Sequence, residues 1–88
     1  MNLPKKVKIG AHTFVIKEVA DHFDGEDIGR CDLEGCKIFI KKGLSDTHKL
    51  STLMHEAMHA MNTTIEHDLL DSLSEQITQF LMDNKLLK

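Results

Sequence analysis

Apolar residues change their spacing once along this 88-residue chain, and that change fixes the kind of fold open to it. Up to Lys41 they alternate with polar residues or sit in short runs bounded by turn residues, as strands do; from Leu50 they recur at three and four, as helices do. Val7 and Ile9 alternate with lysines, Gly10-Ala11-His12 supplies a turn, and Phe14-Val15-Ile16 with Val19 continues as a second strand. Asp21 to Asp27, acidic and containing Gly25, reads as a loop. Ile28 to Leu33 and Cys36 to Lys41 form a second hairpin, turning at Glu34-Gly35 or across the wider Asp32 to Gly35.

The second half predicts two helices. Ser45 and Asp46 are good N-cap residues after Gly43, and Asn62-Thr63-Thr64 interrupts the pattern, which bounds the first helix near 46 to 62. Its apolar stripe is Leu50, Leu53, Met54, Ala57, Met58 and Met61. Leu69, Leu70, Leu73, Ile77, Phe80 and Leu81 give a second helix from about 66 to Asn84. The connection Thr63 to Ile65 is short enough to make the helices antiparallel. The expected fold is therefore α+β, a single domain over residues 1–88. Two N-terminal β-hairpins form a small antiparallel sheet packed on two antiparallel C-terminal helices.

Within the first helix stands His55-Glu56-Ala57-Met58-His59. Positions i and i+4 share a helix face, so both imidazoles can reach one metal ion. Glu56 lies about 100° round from His55, where it can meet a water activated by the metal. With six His and six Glu in the chain, an H-E-x-x-H arises by chance at about 3 per cent, so context decides. Both histidines lie away from the middle of an amphipathic stripe, which suits ligands better than core packing.

Two histidines hold zinc weakly, and a third protein ligand is expected. If the second helix runs back from about Glu66, residues level with the motif fall near 67 to 73. His67, Asp71 and Glu75 share one line on that helix. Asp71, the central member, is the favoured third ligand, with Glu75 supporting an imidazole; His67 and Glu75 are the alternatives. Cys31 and Cys36 share the sheet face carrying Ile38 and Ile40, and their simplest role is packing. A disulfide is the alternative, and no second Cys pair exists to complete a structural zinc site.

Composition narrows the partners. The net charge of −3, with no more than two Lys or Arg in a row, argues against nucleic-acid binding. No apolar run approaches the ~18 residues of a spanning helix. Met1 to Lys8 is polar and basic and unlike a secretory signal, so a cytoplasmic protein with reduced thiols is expected.

The chain also resembles the small zincin-type metallopeptidases encoded in phage and prophage genomes, relatives of the gluzincins. The likeness runs through Lys8-Ile9-Gly10 into Phe14-Val15-Ile16, and through Gly29-Arg30-Cys31-Asp32 with Ile38-Phe39-Ile40. It continues over Thr52 to Met61 and from Leu69-Leu70-Asp71 to Asn84, and only H-E-x-x-H is specific within it. Gluzincins commonly take their third ligand from an E-x-x-A-[DN] pattern, whose nearest match is Asp71-Ser72-Leu73-Ser74-Glu75, with Asp for Glu and Ser for Ala. The resemblance implies a zinc-dependent peptide hydrolase with Glu56 as general base and a peptide or protein substrate. It also implies a substrate-binding sheet edge, here Cys36 to Lys41, with Lys37, Lys41 and Lys42 bordering the groove.

With no Tyr present, a second oxyanion donor would have to be His12, His22 or His48. His48 is roughly 10 Å along the helix from His55, and a surface role suits it better. Two other readings stand beside the enzyme. One is a catalytically inactive, metal-stabilised binding module; the other is a metal-free interaction protein dimerising through Met54, Met58 and Met61.

Overall fold

In a computed structural model describing residues 2–20 and 28–86, the α+β architecture is present. Four strands, β1 (Lys6–Ile9), β2 (His12–Val19), β3 (Gly29–Asp32) and β4 (Lys37–Lys41), precede two helices, α1 (Asp46–Met61) and α2 (His67–Asp83). The loop expected over Asp21 to Asp27, and His22 with it, lies outside the described residues.

Each hairpin is antiparallel. β1 and β2 turn at Gly10-Ala11, with Gly10 at φ +62° and Ile9 opposite His12. β3 and β4 turn through Leu33 to Cys36, where Asp32 Oδ1 accepts from Gly35 N at 3.0 Å. The hairpins join through β2 and β4, which run parallel, so the sheet is mixed, in the order β1-β2-β4-β3, instead of purely antiparallel. β4 is therefore interior. The open edges among the described residues are β1 and β3, which corrects the expectation that Cys36 to Lys41 is an edge.

Period-two alternation sends one row of side chains towards α1. Ile9, Phe14, Ile16, Ile38 and Ile40 are buried there against Leu53, with Ala57 and Ala60 half-buried beside them. Cys31 pairs in register with Ile38, and both free cysteines pack against this core, as packing residues should. At one end of the same face, Glu18 meets Lys49 of α1 at 3.1 Å.

α1 starts as its sequence suggests, Ser45 Oγ accepting from His48 N at 3.2 Å. Asn62 ends it: its N–H donates to Met58 O, and its Oδ1 accepts from both Thr64 N and Thr64 Oγ1. That knot of bonds fixes the short connection to α2. Glu66 then caps α2, its carboxylate accepting from Asp68 N and Leu69 N, both at 3.0 Å. These bonds hold the Glu66 carboxyl below its ordinary pKa.

Among the described residues α2 packs on α1 and on no strand. Its buried line is Leu70, Ser74 and Thr78, which is rotated from the leucine stripe read in the sequence; Leu69 is 52 % and Phe80 60 % exposed. Ser and Thr let the helices approach closely, and among the described residues no third layer covers the outer side of α2. Thr78 Oγ1 has no hydrogen-bond partner among the described residues, and leaving such a group unsatisfied costs about 1–3 kcal/mol. None of the described helices is long and apolar enough to cross a membrane.

Ile40→Ala is expected to cost about 2–5 kcal/mol, as buried aliphatic truncations do. Phe80→Ala, on the open side of α2, should cost less than about 1 kcal/mol. Urea unfolding of both variants checks the assignment; equal losses would mean that the outer face of α2 is covered.

Candidate active site

A cleft of about 340 Å³ opens between β3, α1 and α2, with His55 and Glu56 on one wall and His67, Asp71 and Glu75 on the other. Its continuation of about 270 Å³ runs past Cys31, His55, Glu56, His59 and His67. The motif helix and the returning helix thus meet where their polar residues coincide.

Glycine makes this approach possible. Gly29 sits opposite Ile40 in the row facing α1, and a Cβ built there would lie 2.7 Å from Thr52 Cγ2 and 3.1 Å from Glu56 Oε2. Any larger residue would push β3 off the helix or move the carboxylate. Thr52 is itself fixed, its Oγ1 donating to His48 O at 2.7 Å.

Across the helix pair, Asp71 Oδ1 lies 2.8 Å from His55 Nδ1, a distance at which the imidazole N–H donates to the carboxylate. Asp71 Oδ2 lies 3.9 Å from His67 Nδ1. The His55 and His67 rings meet edge to face, 5.2 Å between centroids. One donor atom each from His55, His67 and Asp71 falls within 4.8 Å of the others. The separations of 2.8 and 3.9 Å bracket the roughly 3.3 Å between neighbouring ligands about 2.0 Å from a tetrahedral ion. Two nitrogens and an oxygen also form a donor set that suits zinc, so His55, His67 and Asp71 fit such an ion.

Of the residues singled out in the sequence, Glu56 is buried, with Oε2 4.0 Å from His55 Nε2. His59 is half-buried and lines the cleft with His55 and Glu56, but stands outside the 4.8 Å set. Glu75 and His48 line the outer cleft; His12 lies at the start of β2, in neither part of it. The lysines expected along the groove belong to β4 and its end. The cleft is bordered instead by Ile28, Gly29, Arg30 and Cys31.

Burial lowers the His55 pKa, and the nearby His67 and His59 rings push the same way; Asp71 opposes them without prevailing. A neutral imidazole keeps a lone pair that a metal ion can accept. Cys31 is pushed up to about 11 by burial and by Glu56, so at neutral pH it is a thiol, not a thiolate ligand or nucleophile.

Sequence reasoning did not single out Gly29, although a glycine opening a strand is a known sign of close backbone approach. No protein-family model, curated protein or solved structure matches this chain. The functional reading therefore rests on the site itself.

Gly29→Ala should cost about 1–3 kcal/mol by overpacking. Adding Thr52→Ser, which removes the nearest methyl, should return part of that loss. A double-mutant cycle on unfolding free energy measures this, and additive effects would show that Thr52 does not set the approach.

Proposed function

We propose that this protein is a zinc-dependent peptide hydrolase of the H-E-x-x-H type, working in the cytoplasm. The observation that carries the reading is the contact of Asp71 with His55 in a cleft that also holds Glu56. Two helices bring imidazoles, an aspartate and a buried carboxylate to the two walls of one cleft. His55, His59 and Asp71 are the proposed zinc ligands, with Glu75 one turn further along α2 as a supporting carboxylate. A zinc ion held there would acidify water and polarise a carbonyl.

The chain's own groups supply the rest. Glu56 takes the proton of the attacking water as general base and returns it to the departing amine. Its buried position beside His55 keeps the carboxylate in reach of the cleft and away from bulk solvent. An extended peptide would add to the open edge of β3, where main-chain hydrogen bonding brings its backbone alongside Glu56.

The purified protein should carry one equivalent of zinc and cleave members of a mixed peptide library, read by mass spectrometry. Glu56→Gln should keep the zinc and lose about 10²- to 10⁴-fold of the cleavage rate. His59→Ala should lose zinc affinity. Zinc retained with Glu56→Gln as active as the unmodified chain would remove Glu56 from the mechanism, and full zinc with no cleavage would favour the metal-stabilised binding module.

A further inference from the structure

His67 gives Asp71 a second imidazole partner, and a step follows from it that rests on the zinc reading above. A catalytic zinc site leaves one of four positions to solvent or substrate, whereas a structural site fills all four with side chains. His55 and Asp71, with the proposed ligand His59, make three, and His67 is the donor that lies within 4.8 Å of both His55 and Asp71. His67 lines the cleft beside His55, His59 and Glu56, and its Nδ1 is 3.9 Å from the Asp71 oxygen that His55 does not hold.

We infer that His67 is a fourth protein ligand that closes the zinc site in the resting protein and is displaced when a substrate enters. Its place in the fold suits a removable ligand. It is the first residue of α2, its side chain is 71 % exposed, and its ring touches His55 edge-on without being packed into the core. Turning its side chain outward leaves the backbone, and with it the helical hydrogen bonds, in place. Asp71 and His55, by contrast, hold each other across the helix pair and stay in place. Such a gate weakens the binding of any small metal ligand by the fraction of time the site is closed.

The test uses the full chain loaded with Co(II), whose visible spectrum reports the ligands, and acetohydroxamic acid as the probe. His67→Ala and His67→Asn should both change the Co(II) spectrum. Both should bind acetohydroxamate about tenfold tighter than the unmodified chain if its site is open about a tenth of the time. His12→Ala, remote from the cleft, should do neither. An unchanged spectrum and unchanged hydroxamate affinity in His67→Ala, while His55→Ala and Asp71→Ala still abolish Co(II) binding, would overturn the gate and leave the zinc site standing. Loss of all Co(II) binding in His67→Ala would make it an obligatory ligand and equally overturn the gate. Co(II) binding undiminished in His55→Ala would overturn both the gate and the site.

Discussion

One contact between two helices, His55 Nδ1 to Asp71 Oδ1 at 2.8 Å, organises the functional half of this molecule. α2 touches no strand among the described residues, so its relation to the sheet is set entirely through α1. Leu70, Ser74 and Thr78 provide the buried seam, which controls how close the helices come. The polar contact then decides which residues of α2 face the motif. Because Asp71 is more than half exposed, its contribution to stability is modest. What it supplies is orientation of the ring.

A second constraint lies on the other side of α1. β3 can approach the helix only because position 29 has no side chain, and Glu56 fills the space thus left. Glu56 is therefore held between a strand backbone and the imidazole of His55, the residue before it on the helix. Burial here acts on charge as well as on geometry. It lowers the His55 pKa and raises that of Cys31, so the cleft favours a neutral imidazole and an inert thiol. Among the described residues, the carboxyl side chain it keeps buried is Glu56, the one that the proposed chemistry uses.

Much of this was legible in the sequence, and the limits are physical. Local signals served well: Ser45 and Asn62 bound α1, and the change of period after Lys41 separates sheet from helices. The Asp71 contact was reachable too, because a three-residue connection leaves few registers for α2. Pairing between hairpins was not legible, since the parallel match of β2 with β4 depends on residues distant in sequence. That one pairing puts β4 inside the sheet and leaves β3 as the edge among the described residues. The leucines of α2 misled for a related reason: a period shows which residues share a face, not whether another layer exists to cover it. Gly29 carries no chemistry of its own, and its importance is visible only when Thr52 and Glu56 are seen against it.

The most direct measurement is a zinc titration followed through the ring nitrogens of the histidines by long-range ¹H–¹⁵N NMR. If the two helices form a seat for a divalent ion, the His55 and His59 rings shift together and saturate at one equivalent, and Asp71→Ala weakens that response. A His55 ring unmoved by zinc, or rings that respond independently without a shared end point, would contradict the account.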